Sequence, residues 1–220
     1  MSSDQFSRFT VPTARPLPVI VLADVSGSMA EGGKIATLNT ALREMLSLFV
    51  AEDGLRAEIH VAVVTFGDGG ARLHQPLAPA RTVTWTDLVA DGPTPMGAAF
   101  DLARSLVEDK AVVPSRAYRP TLILVTDGQP TDGDACTTAL SALLQSERAS
   151  KAHRLALGIG ADADHAVLRA FLADPSARVF SAADARQITE FFRFASMSVA
   201  SRSRSSNPNL AAPSAMDLEY

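Results

Sequence analysis

The spacing of apolar residues alternates between two regimes along this chain. From Leu17 to Ala23 they run almost unbroken, rich in branched side chains, and stop at Asp24. Such a run reads as a strand buried on both faces of a parallel sheet, near its centre. Ile35, Leu38, Leu42, Met45, Leu46, Phe49 and Val50 then recur at helical spacing, forming one apolar face. The alternation continues with a strand over 57–65, a helix carrying Met96, Ala99, Phe100, Ala103, Leu106 and Val107, and a buried strand over 121–126. After them come a helix marked by Leu140, Leu143 and Leu144, a strand over 153–159, and a helix with Val167, Leu168, Phe171 and Leu172. A short strand over 178–181 and a closing helix with Ile188, Phe191, Phe192, Ala195 and Val199 complete the series.

Two details refine the pattern. The turn cluster at 67–70 sends residues 71–77 back as an antiparallel edge strand. Thr94 and Pro95 are expected to open the next helix, threonine as its cap and proline at the first helical position. Strands alternating with helices imply an α/β, three-layer, Rossmann-like fold with a mostly parallel central sheet, one antiparallel edge strand and helices on both faces. The domain is placed at 17–200. Residues 1–16 are expected to form an N-terminal tail and 201–220 a flexible C-terminal tail, because Ser-Arg-Ser-Arg-Ser-Ser-Asn-Pro from Ser201 offers too few apolar groups to pack.

Composition narrows the function classes. The 220 residues include 20 Lys and Arg against 24 Asp and Glu, for a net charge of −4. No global basic field recommends nucleic acid or an anionic membrane surface as a partner. The single cysteine, Cys136, can build neither an internal disulfide nor a thiolate zinc site. The run at 17–23 is too short to span a bilayer, and the first sixteen residues contain no secretory apolar region. A cytoplasmic protein is expected.

Ligands of open α/β sheets bind beyond the carboxyl ends of the strands. The first strand ends in Asp24-Val-Ser26-Gly-Ser28, and the buried strand at 121–126 ends in Asp127-Gly128, with Thr94 as the third element. Alternation puts Asp24, Ser26 and Ser28 on one side of a tight turn, and Gly27 is expected to supply dihedrals a side chain would resist. Two carboxylates and three hydroxyls, with no nitrogen or sulfur, suit a hard cation, foremost Mg²⁺, with Mn²⁺ or Ca²⁺ as substitutes. Neutral hydroxyls leave the ion residual positive charge with which to take a carboxylate from another molecule.

Asp24-x-Ser26-x-Ser28, Thr94 and Asp127-Gly128 together resemble the metal-ion-dependent adhesion site of von Willebrand factor type A (vWA) domains. Gly92-Pro-Thr-Pro-Met-Gly-Ala-Ala-Phe, Val125-Thr-Asp-Gly-Gln-Pro-Thr-Asp and Phe191-Phe-Arg-Phe-Ala-Ser-Met-Ser-Val resemble bacterial TerY-like proteins of tellurite resistance and chemical stress. The resemblance implies a vWA fold and a non-enzymatic interaction module. It implies that Ser26 and Ser28 contact the metal directly, Thr94 directly or through water, and Asp24 and Asp127 chiefly through water. It implies further that a partner supplies an Asp or Glu, with a protein kinase and a PP2C-like phosphatase as candidate partners.

Rival readings remain open at this level. A Mg²⁺-dependent phosphatase or phosphotransferase would use a strand-end aspartate as phosphoryl acceptor. Against it, Ser26 stands where a second Asp is expected, no partner lysine is apparent, and Lys34 is followed by Ile35, which breaks a phosphate-binding loop. A scaffold with a purely structural metal is the third possibility. Asp132 and Asp134 read as caps of the helix that follows them. Asp162, Asp164 and His165 fit a second metal site and a loop entering a helix equally well and are left unassigned, while His60 reads as packing or edge hydrogen bonding, Phe194 as core, and Arg202 and Arg204 as solvated tail.

Overall fold

A computed structural model describes residues 14–52 and 57–210. The strands are β1 (Arg15–Asp24), β2 (Ala57–Gly67), β3 (Gly70–Pro79), β4 (Thr121–Thr126), β5 (His153–Ile159) and β6 (Phe180–Ala182). The helices are α1 (Lys34–Ala51), α2 (Met96–Glu108), α3 (Asp134–Gln145), α4 (His165–Leu172) and α5 (Ala185–Arg204). One sheet runs in the order β3-β2-β1-β4-β5-β6, and only the β2–β3 pair is antiparallel.

Period two in β1 decides which helix meets which face. Leu17, Val19, Val21 and Ala23 pack with Leu38, Leu42, Met45 and Phe49 of α1 and Ile188, Phe191, Phe192 and Val199 of α5. Ile20 and Leu22 join the opposite layer, with Phe100 and Val107 of α2, Leu143 of α3 and Leu168 and Phe171 of α4. A strand whose residues are wanted by two cores cannot alternate with polar ones, which is why β1 and β4 read as solid apolar runs. The chain therefore leaves β1 toward one layer and β4 toward the other. Those two strands are neighbours, so their carboxyl ends flank the crevice where open α/β sheets bind ligands.

Several expectations are corrected. Val50 faces solvent at 53% exposure instead of joining the apolar face of α1. The tail boundaries also move: β1 begins at Arg15 and α5 continues to Arg204. Arg202 is 1% exposed and donates to the Pro208 carbonyl at 2.9 Å, the Thr121 hydroxyl at 2.5 Å and the Arg119 carbonyl at 2.7 Å. Arg204 pairs with Glu52. Composition suggested a solvated tail from 201, but an arginine supplied with three oxygen acceptors can be buried. Of the expected tails at 1–16 and 201–220, residues 1–13 and 211–220 lie outside the described residues.

Candidate metal centre

Asp24 and Thr126 end up side by side because β1 and β4 pair in register, Ala23 opposite Val125. Asp24 is fully buried. Its Oδ1 accepts the Ser26 backbone N–H at 2.8 Å and its Oδ2 the Thr126 hydroxyl at 2.5 Å. Burial pushes the Asp24 carboxyl above its ordinary value; Asp127 pushes the same way, and the hydrogen bonds from Ser26 and Thr126 oppose. A buried carboxylate under that tension gains from a nearby cation.

The loop after β1 is fixed from both sides. Met29, fully buried among the residues of the α1 and α5 layer, plugs it into the core, and its N–H bonds the Ser26 carbonyl at 3.0 Å. A strap at 91–92 holds the outer side: Asp91 N–H reaches the Val25 carbonyl at 2.7 Å and Gly27 N–H the Gly92 carbonyl at 2.9 Å. The special glycine is Gly92, not Gly27. Gly92 has φ +79°, and a Cβ there would lie 2.6 Å from the Asp68 backbone. Gly27 shows no positive φ, and a Cβ there would meet nothing nearer than 3.6 Å.

The strap delivers Thr94, 6% exposed, to the same edge. It does not cap α2: the cap position is Pro95, and the helix begins at Met96. Asp132 supplies the missing acceptor from another loop, its Oδ2 taking the N–H of Gly97 at 2.8 Å and of Ala98 at 3.3 Å. Asp132 was expected to serve the helix following it, but α3 is entered through Gly133 with no side-chain cap. Thr131 completes the link, its Oγ1 accepting from Thr94 N and its N–H donating to the Thr94 carbonyl. Thr94 Oγ1 lies 3.6 Å from where a Cβ on Gly128 would stand, so the threonine hydroxyl and the turn after Asp127 meet.

The five expected residues are thus brought to one edge. Ser26 Oγ and Ser28 Oγ are 3.2 Å apart, and Ser28 Oγ donates to Asp127 Oδ1 at 2.7 Å. Adjacent oxygens around an octahedral Mg²⁺ with bonds of about 2.1 Å lie about 3.0 Å apart, so the serine pair has the right spread. Among the described residues no three His, Cys, Asp or Glu side chains converge. A cation held at this edge therefore depends on the hydroxyls.

The unforeseen member is Lys34. Its Nζ lies 2.7 Å from Asp127 Oδ2 and 3.3 Å from the Ser28 carbonyl. The expectation that no partner lysine exists is therefore corrected; the Gly32-Gly33-Lys34 sequence drew attention only as a failed phosphate loop. Thr126, the last residue of β4, was likewise read as strand alone. Elsewhere Asp164 caps α4 through Ala166 N and Val167 N, His60 bonds Glu58 at 2.9 Å, and Phe194 is core at 5% exposure.

The sequence model for the von Willebrand factor type A domain matches residues 19–194. The chain is 28% identical over 178 residues to human inter-alpha-trypsin inhibitor heavy chain H6, covering 76% of this chain and 13% of that protein. Among solved structures, a von Willebrand factor type A protein from Catenulispora acidiphila superposes with a TM-score of 0.65 at 22% identity, over 84% of this chain and 42% of that one. The proximal thread matrix protein 1 of the mussel byssus, with a zinc-occupied MIDAS motif, gives 0.59 at 18% identity, over 83% and 46%. This chain thus spans about an eighth of the human relative and under half of each of the two structures. No helix among the described residues is long and apolar enough to cross a membrane.

Proposed function

This chain belongs to the von Willebrand factor type A domain family, and on that premise we propose that it is a protein-binding module whose contact with its partner runs through a divalent cation. The observation that carries this reading is the pair of serine hydroxyls 3.2 Å apart, joined to the buried Asp127 on one side and to the turn of the buried Asp24 on the other. Ser26 and Ser28 hold the ion directly, Thr94 directly or through water, and Asp24 and Asp127 through water. Mg²⁺ is the preferred ion, Mn²⁺ and Ca²⁺ the substitutes. Once bound, it supplies a positive centre for an Asp or Glu of the partner. The zinc-occupied motif of the byssus protein supports a divalent metal at this edge of the fold.

A phosphoryl-transfer reading gains one feature, the lysine beside Asp127, but the carboxylates argue against it. Both oxygens of Asp24 already accept hydrogen bonds inside a fully buried site, and both oxygens of Asp127 are engaged by Ser28 and Lys34. Neither is a free nucleophile. We therefore read the protein as non-enzymatic, and the single cysteine supports a cytoplasmic setting. The TerY-like stretches at 92–100, 125–132 and 191–199 support a place in a bacterial stress or tellurite system, with a kinase and a PP2C-like phosphatase as candidate partners.

Capture from native lysate tests this, with parallel columns in Mg²⁺ and EDTA and a folded Thr94→Ala control. A protein retained only with Mg²⁺ and lost with Thr94→Ala is expected. Retention indifferent to both overturns the cation-bridged contact and leaves the metal a structural role.

A further inference from the structure

Lys34 stands where helix energetics does not want it. It is the first residue of α1, where the helix dipole disfavours a cation, and the preceding cap, Gly33, has no side chain to offset that. Gly32 and Gly33 adopt φ of +60° and +74°, the left-handed conformation open to glycine, and so turn the chain into α1 directly behind the serine loop. The outcome is an ammonium 2.7 Å from Asp127 Oδ2, with the lysine side chain 26% exposed and the aspartate side chain fully buried. A lysine has rotamers enough to leave for water. Here it is drawn inward instead.

The carboxylate of Asp127 is divided between two tasks. Oδ1 receives the Ser28 hydroxyl proton, which leaves the lone pairs of that hydroxyl available to a cation, while Oδ2 faces Lys34. The lysine and the serine hydroxyl therefore do not compete for the same carboxylate oxygen. Held at Asp127 Oδ2, the ammonium counts as a positive charge beside the donor set, which then presents one net negative charge instead of two.

We propose that Lys34 sets the charge of the metal centre: by offsetting Asp127 it weakens capture of the divalent ion and leaves the captured ion more attractive to a partner's carboxylate. This rests on the reading above that the ion sits among Ser26, Ser28 and Thr94. The two effects have opposite signs, and that opposition separates a charge-setting residue from one that merely holds the loop. A loop defect weakens both steps. Removing the charge strengthens the first and weakens the second.

The test uses Mn²⁺ as the metal probe and acetate as the carboxylate probe, read by water-proton relaxation, on wild type, Lys34→Met, Lys34→Gln, Lys34→Arg and Asp24→Ala. Lys34→Met is expected to bind Mn²⁺ about tenfold tighter and its Mn²⁺ complex to take acetate about tenfold more weakly. Lys34→Arg keeps the charge and should stay near wild type. Lys34→Gln covers the case in which the methionine variant fails to fold. Mn²⁺ affinity in the two neutral variants equal to or weaker than wild type, with wild type binding and Asp24→Ala not, overturns the role of Lys34 and spares the metal site. Silence of every protein toward Mn²⁺ overturns both together.

Discussion

The Thr126 hydroxyl meets Asp24 Oδ2 at 2.5 Å, joining the last residues of two neighbouring parallel strands that lie 102 positions apart in the chain. The bond orients a carboxylate that burial alone would drive toward its neutral form. Thr126→Val keeps the shape and removes the donor. It should cost about 1–3 kcal/mol by stranding one oxygen of a buried acid, and should reduce the added stability expected in the presence of Mg²⁺. Thr126→Ser should recover most of both. Urea unfolding with and without Mg²⁺ measures them, and a valine variant with unchanged metal response would show that the threonine serves packing alone.

That bond also marks where sequence reading stops. Leu17 to Ala23 and Thr121 to Thr126 announce themselves as strands because both their faces are claimed by cores, and their terminal aspartates follow directly. The hydroxyls of Ser26, Ser28 and Thr94 are legible as hard donors from type and order. Which residue flanks Asp24 is not legible, since it depends on the register between β1 and β4. The cap of α2 is hidden for the same reason: Thr94-Pro95 has the local pattern, while Asp132 holds the N–H groups from a loop 35 residues on. Lys34 needs two left-handed glycines and the buried face of Asp127 before it means anything.

Arg202 ties the end of α5 to the amino end of β4 through Thr121 and to the chain on either side through Arg119 and Pro208. Burial and the nearby Arg119 push its guanidinium down to about 10, which leaves it charged at neutral pH. Arg202→Met should destabilise the fold by about 2–4 kcal/mol, because two carbonyls and a hydroxyl lose a charged donor inside the protein. Ending the chain at 200 should do at least as much. Guanidinium denaturation is the readout, and a shift below about 0.5 kcal/mol would show that the three bonds of this buried arginine contribute nothing net to stability.

His153 predicts an acid limit. Burial first, then the charges of Arg202, Arg119 and Arg154, push its imidazole down to about 4, with the Asn209 backbone opposing. The unfolded chain takes up the proton near pH 6.5, so it binds more protons than the folded protein between about 6.5 and 4. Stability should therefore be level above pH 6.5 with respect to this group, fall as pH drops toward 4, and lose nothing more from it below. Melting curves of wild type and His153→Gln across that range should converge at low pH if the variant starts lower. A constant gap from pH 7 to 4 would remove His153 from the account.

The fastening of Arg202 to Thr121 also has a meaning for the metal edge. Thr121 and Thr126 are the two ends of β4, a six-residue strand about 20 Å long, and Asp127 is the next residue beyond it. Arg202 fastens the chain at Pro208 to the near end of that rod, Asn209 Oδ1 accepts the Arg119 N–H beside it at 2.8 Å, and the serine-linked carboxylate sits at the far end. One short strand thus joins the end of the described chain to the metal edge, with Thr121 held by Arg202 at its amino end and Thr126 holding Asp24 at its carboxyl end.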